Sequence, residues 1–430
     1  MTTSESSERV LGKFKCSGYG VSERQLTNKE RWVSFWVLFV FGFACVYQWN
    51  SPAPILGNLA EAYGMTPASM GWIMSIFNLA GIIVVYPGAW IMRNVGVKTS
   101  ILVTAVLSIA GSIAALLATG PATLLAARAL QGCAFGLISV IGPNIMPRLF
   151  PAEKLGLVMG IWSQWVCPGI ALAALTGPML FNGYGPQSIF VLALVLQIVT
   201  TVGVILFVKM PAVPENVLAM RNASSAAEAA KAKKATKSYA AAAFLVGFCF
   251  LAWCTVYPTF NSFYPTFAQE TKGMPMEIAA MTTLVAALAT VPTGIIFGVV
   301  ADKIKQRKWM LVIGYLCLMF AYGTVLWSDD PSQMSAWVSI IFLGGICAGL
   351  IPTMTRAIIP ILAVDPTKTD YALTGMALVT NIGGFLAAFF GTIAAGTSYL
   401  FAARVFCLPL IAVAAVLIIF FVKNDHKLES

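Results

Sequence analysis

From Gln187 the chain reads QSIFVLALVLQIVTTVGVILFV without one charged side chain. About twenty consecutive apolar residues are what a helix needs to cross a bilayer. Runs of this kind begin near Trp32, Ser69, Thr99, Pro121, Gly156, Gln187, Tyr239, Glu277, Trp309, Ser335, Tyr371 and Leu400, twelve in all. In lipid the backbone must satisfy its own polar groups, which leaves helices or closed barrels. Barrel strands would show short alternating segments. These runs are long and apolar all round. The expected fold class is therefore an all-α membrane protein with twelve transmembrane helices. Composition agrees, with 59% hydrophobic and only 10% charged residues, against about a quarter charged in soluble domains. The lipid bilayer is the first partner this chain requires.

Charge placement sets orientation. Of the 27 Lys and Arg residues, all but Lys272, Arg128, Arg356 and Arg404 fall in tails and loops on one side. Basic loops stay cytoplasmic. Both termini are thus expected in the cytoplasm, with the protein integral to the cytoplasmic (inner) membrane. The net charge of +10 is then topological and calls for no nucleic acid. Residues 1–31 show no short apolar core before a small-residue cleavage site, so the first span is expected to act as its own insertion signal. Eight of the nine cysteines lie in spans, and the single histidine is His426. Buried small thiols are expected there, with neither disulfides nor metal and no cofactor.

The chain divides into a cytoplasmic tail (1–31), six spans (32–208), a linker (209–238), six more spans (239–422) and a second tail (423–430). The linker is rich in Ala, Lys, Ser and Glu, and some amphipathic helix is expected in it. The halves echo each other. GAWIMRNVGVKTSILV starts at Gly88 and GVVADKIKQRKWMLV at Gly298, each after the second span of its half. CAFGL from Cys133 recurs loosely as CAGL from Cys347. Gly136 to Pro147 and Gly349 to Pro360 keep one spacing. GIWSQWVCPG from Gly160 answers GMALVTNIGG from Gly375. Four matches in the same order argue for an internal repeat. Six spans per half place both copies in the same orientation, a parallel repeat about an axis along the membrane normal.

These motifs resemble the signatures of the major facilitator superfamily, and the resemblance covers essentially all twelve spans. GVVADKIKQRK is similar to that family's cytoplasmic loop signature, with Gly298, Asp302, Lys303, Arg307 and Lys308 in place and Gln306 where a second glycine is usual. The first-half copy keeps Gly88, Arg93, Gly96 and Lys98, with Met92 in place of the aspartate. LLAARALQGCAFG resembles the span-4 signature through Arg128, Gln131 and Gly132. The glycines and Pro168 of span 5 resemble a third. MGIWSQWVCPG further resembles the cyanate and nitrate/nitrite porter branches. Spans 2 and 8 depart from the nitrate pattern by carrying no interior arginine. The resemblance implies two pseudo-symmetric six-helix bundles that rock about a central cavity lined by spans 1, 4, 7 and 10. It also implies a conformational latch at Gly88, Arg93, Gly298, Asp302, Lys303 and Arg307.

All 17 acidic residues lie in tails, loops or span ends. Arg404 lies near a span start and can reach the headgroups. Arg128 and Arg356 are deep. An arginine at mid-depth costs at least ~2.5 kcal/mol and faces a cavity or a partner. No buried carboxylate is available to neutralise either one, whereas a carried anion would do so. Two readings stay open for each: coupling or substrate contact for Arg128, and substrate contact or carbonyl capping for Arg356. Thr353 lies near Arg356. Spans 1 and 7 end VYQWNSP and VYPTFNSFYP. Tyr47, Gln48, Asn50, Tyr257 and Asn261 there either hydrogen-bond a solute or belong to an interfacial aromatic belt with helix breaks. Gln164 and Asn381 suit substrate or interhelical hydrogen bonds, and Trp162 and Trp165 read as packing.

The expected function is secondary active transport by alternating access. The expected substrate is a small organic or inorganic anion, with a coupling ion allowed. No Walker loop, zincin helix or nucleophile elbow is present, so no enzyme is read here. The alternatives are efflux of hydrophobic drugs and a non-transporting membrane sensor.

Overall fold

The computed structural model describes residues 26–94, 97–150, 158, 161–162, 164–209, 226–304, 306–328, 333–362 and 366–422; at 93–94, 144, 147–148, 226–244, 301–303, 324–325, 333, 335, 356–362 and 366–374 the backbone alone is described. Among the described residues every regular element is helical. In chain order these are α1 (Asn28–Asn50), a 3-10 turn at Ala53–Ile55, α2 (Leu56–Ala62), α3 (Trp72–Asn94), α4 (Val97–Leu116), α5 (Pro121–Leu149), α6 (Val166–Tyr184) and α7 (Ser188–Phe207). The second half runs α8 (Ala226–Glu270), α9 (Met276–Ile304), α10 (Arg307–Phe320), α11 (Gln333–Phe342), α12 (Ala348–Leu362), α13 (Pro366–Gly396), α14 (Tyr399–Ala402) and α15 (Leu408–Phe421). Ten stretches among the described residues are long and apolar enough to cross a membrane. The apolar part of α8 and α10 complete the twelve. α10 has 14 residues but runs on through a π-helical segment at Ala321–Val325. Similar π segments join α11 to α12 and α14 to α15.

Helix ends follow local chemistry. Thr27 caps α1 in a reciprocal box with Glu30, which satisfies donors a helix start leaves open. α1 stops where Pro52 opens the 3-10 turn. α8 starts well before the expected Tyr239, because the Ala, Lys and Glu of the linker are strong helix formers. It then passes through Pro258 and Pro265 without ending. α10 and the π segment after it hold α8 on the N-terminal side of Pro258. Tyr315 of α10 donates to the Cys249 carbonyl at 2.7 Å, and Tyr322, two turns on, donates to the Val256 carbonyl.

α3 and α4 pack along α5, and α8 packs along α13. The halves meet along two seams, α3 against α13 and α6 against α9. At the end expected to face outside, Ser75 donates to the Phe385 carbonyl at 3.1 Å and Asn182 to Glu277 Oε1 at 2.7 Å. The first seam carries a reciprocal arrangement. A Cβ on Gly81 of α3 would lie 2.2 Å from Asn381 Oδ1 of α13, and a Cβ on Gly384 of α13 would lie 2.4 Å from Asn78 Oδ1 of α3. Both amides are buried, and each donates Nδ2 to its own helix, Asn78 to Met74 and Asn381 to Ala377.

Candidate functional site

Arg128 lies two turns into α5 and is fully buried. Its Nε donates to the Ile73 carbonyl at 3.0 Å. Nη1 donates to the Gln48 carbonyl and to Gln131 Oε1, each at 2.7 Å, and Nη2 to the Trp49 carbonyl at 2.7 Å. The Phe77 ring covers it with a centroid 4.6 Å from Cζ. Gln48 and Trp49 belong to the last turn of α1, where carbonyls lack helical partners and a cation is favoured. Arg128 therefore ties the end of α1 to α3 and α5. It does so with neutral oxygens only. Among the described residues the buried charged side chains are Arg128 and Lys272, and no Asp or Glu is buried. Lys272 donates to the Ser328 carbonyl at 3.2 Å.

The polar residues at the end of α1 divide by direction. Tyr47 meets Thr176 Oγ1 of α6 at 3.2 Å. Gln48 Nε2 donates to the Ser108 carbonyl at 2.9 Å and Ser112 Oγ at 2.7 Å, and Ser108 Oγ donates back to Gln48 Oε1 at 2.7 Å. Both side chains hold α1 inside its own half. Asn50 differs. It is fully buried, and neither amide atom has a hydrogen-bond partner. Asn261 of α8 is buried with the same two atoms unpartnered. The Tyr257 hydroxyl lies toward Thr290 and Asn261 and closes no hydrogen bond. Its ring stacks on Trp253 at 4.7 Å and 19°. Buried amides left this way cost ~1–3 kcal/mol per group unless water or a solute meets them.

Thr353 of α12 is half-buried. A Cβ on Gly294 of α9 would lie 3.6 Å from Thr353 Oγ1 and 3.2 Å from Gln164 Nε2, so α12, α9 and the start of α6 converge there. Gly298 faces the same threonine, at 3.8 Å from Thr353 Cγ2. Arg356 follows one turn later in α12, but its side chain lies outside the described residues. So do the side chains of Arg93, Asp302 and Lys303. Their backbones are helical: α3 and α9 run through Gly88 to Arg93 and Gly298 to Lys303, where a loop was expected. Gly88 packs on α5, where a Cβ would lie 2.5 Å from Leu137 Cδ2. Arg307 opens α10, half-buried, and Lys308 beside it donates to the Ile419 carbonyl at 2.9 Å. Arg404 donates to the Gly323 carbonyl at 3.3 Å, joining two π segments.

Aromatic residues build a feature that residue spacing did not reveal. Trp49 stacks on Phe135 (5.5 Å, 28°), Phe135 on Trp165 (5.9 Å, 14°) and Trp165 on Trp162 (5.5 Å, 17°). The indoles lie on glycines. A Cβ on Gly42 of α1 would come 2.6 Å from Trp165 Cε3, and one on Gly142 of α5 would come 2.0 Å from Trp162 Cζ2. The sequence signal was limited to two tryptophans three residues apart and to glycines within spans 1 and 4. Only tertiary contact shows which glycines they meet.

A family model described as Major Facilitator Superfamily matches residues 38–392. The arabinose-proton symporter of Escherichia coli (strain K12) is 27% identical over 143 residues, 33% of this chain and 30% of that protein. Probable anion transporter 6 of Oryza sativa subsp. japonica is 28% identical over 134 residues, 30% of this chain and 31% of that one. The chain thus matches only about a third of the length of these relatives. The crystal structure of a D-xylose-proton symporter superposes with a TM-score of 0.71 at 15% identity, covering 92% of this chain and 98% of that one, which is a likeness of fold.

Proposed function

The chain belongs to the Major Facilitator Superfamily, and from that premise we propose a secondary active transporter that carries a small organic or inorganic anion by alternating access. One observation carries the anion. Arg128 is buried among neutral oxygens, with no buried carboxylate among the described residues. At an effective dielectric of ~20, a fixed unit charge about 8 Å away stabilises an anion by roughly 2 kcal/mol and repels a cation equally. The second deep arginine of the sequence, Arg356, stands one turn beyond Thr353 and adds to that field. The resemblance of MGIWSQWVCPG to cyanate and nitrate/nitrite porters favours the same class. One curated relative is named a probable anion transporter, and another is a proton-coupled sugar symporter. Family and relatives give no support to a sensor, and drug efflux is not favoured.

In this reading residues 32–208 and 239–422 move as two bundles across the α3–α13 and α6–α9 seams. The protein sits in the inner membrane with both termini cytoplasmic. Gly88, Arg93, Gly298, Asp302, Lys303 and Arg307 form the latch at the cytoplasmic end. With every acidic residue outside mid-membrane, a proton travels with the anion or the anion is exchanged.

Thermal unfolding of the detergent-purified protein tests the reading. A ligand at ~100 times its Kd stabilises the folded state by about 2.7 kcal/mol. Small anions are expected to raise the melting temperature, and Arg356→Gln to abolish the shift. Stabilisation by D-xylose or by a lipophilic cation, with none by anions, overturns it.

A further inference from the structure

Resting on the anion reading above, we propose that the carried solute is a flat conjugated anion, of the aromatic carboxylate class, and that the ladder of Trp49, Phe135 and Trp165 together with Tyr257 selects it. The ladder is placed where the halves face each other. Trp165 precedes α6, the helix that meets α9 of the other half. It lies across Gly42 of α1 and continues onto Phe135 of α5. Gln164, the residue before it, has its Nε2 3.2 Å from where a Cβ on Gly294 of α9 would stand, and the Tyr257 hydroxyl of α8, in the second half, lies toward Thr290, one turn earlier on α9. One aromatic group from each half therefore borders the α6–α9 seam, the second being Tyr257 stacked on Trp253.

The polar atoms around this place are the second observation. Of the buried side-chain atoms without a partner, Trp49 Nε1, both amide atoms of Asn50, the Tyr257 hydroxyl and both amide atoms of Asn261 fall on these residues or within about one helical turn of them in sequence. Trp49, Asn50 and Asn261 are all more than nine-tenths buried. An indole N–H, two amide N–H groups and a phenol O–H supply donors to carboxylate oxygens. The rings supply faces and edges to a flat ring. Aromatic pairs prefer offset-stacked or edge-to-face geometry, an advantage a puckered ring cannot share. The absence of a Cβ at Gly42 and Gly142 lets the indoles of Trp165 and Trp162 lie directly on α1 and α5.

The test compares benzoate with cyclohexanecarboxylate, equal in charge and close in size but different in planarity. Each is titrated against thermal unfolding of the full chain in detergent. Benzoate is expected to bind roughly 2- to 12-fold more tightly, the range an added aromatic contact provides. In Trp165→Leu and Phe135→Leu that ratio falls toward one, while the affinity for cyclohexanecarboxylate stays within about twofold. Should these variants fail to fold, the wild-type protein decides alone: 4-nitrobenzoate quenches its tryptophan fluorescence saturably, with the Kd found by thermal shift. Equal affinities for the two ring acids, or a ratio unchanged in both variants, overturn the flat-solute inference. Binding of acetate or nitrate together with equal affinity for the two ring acids overturns it while the anion reading stands. Stabilisation by D-xylose or tetraphenylphosphonium and by no carboxylate overturns the anion reading itself.

Discussion

Arg128→Gln lowers the melting midpoint of the purified protein by roughly 10 °C. The substitution removes donors from the carbonyls of Gln48, Trp49 and Ile73, all at 3.0 Å or less from the guanidinium. Glutamine is too short to reach all three and offers two donors in place of five. Each buried acceptor left open costs ~1–3 kcal/mol. Some of this is offset, because an unneutralised buried cation is itself costly. Breaking a buried charged contact typically costs ~3–5 kcal/mol, and a unit of about 150–250 residues loses ~2–4 °C per kcal/mol. Arg128→Lys keeps the charge and loses the planar fork. It is expected to recover less than half of the loss. Differential scanning of the three proteins reads the order directly. If Arg128→Gln melts with the wild type but no longer responds to anions, the arginine touches substrate and is not a tether.

Gly132→Ala is the second large effect. Its Cβ would fall 1.9 Å from the Phe77 carbonyl oxygen, 2.6 Å from the carbonyl carbon and 2.8 Å from Cα. These are backbone atoms, so α3 has to move off α5. Overpacking costs ~1–3 kcal/mol even where side chains can yield. Here the shift also draws the Phe77 ring from over Arg128. Gly81→Ala is expected to cost less, although its nearest contact is 2.2 Å, because that contact is the amide tip of Asn381. Gly345→Ala meets nothing within 4 Å and is expected to be close to neutral. The melting temperatures should fall in that order. A Gly132→Ala protein that melts with the wild type would show that the α3–α5 crossing has room for a methyl group.

Much of the site was legible in part. Arg128 stood out because a charge inside an apolar run needs a reason. Its four partners did not, since three are carbonyls that every residue owns. Asn50 and Asn261 were visible as polar residues at matching span ends. So were Tyr47 and Gln48, yet these two close hydrogen bonds with α6 and α4 inside their own half. Nothing in VYQWNSP distinguishes the residues that hold the bundle from the one left open. Asn78, the counterpart of Asn381 across the first seam, has no distinguishing sequence context. Its meaning lies in Gly384, some three hundred residues away.

The sequence by itself determined the all-helical membrane fold and the count of crossings. Apolar length is a local property, and lipid permits no other open structure. Loop motifs and charge placement likewise carried the family resemblance and the expected orientation. The direction of each helix was decided only by the tertiary structure. A helix that is apolar all round carries no polar stripe to state which face looks inward. Packing settles it instead, through glycines that admit an indole or an amide at one place only. That is why Trp162 and Trp165 form a wall with Phe135 and Trp49, and why Arg128 ends among carbonyls.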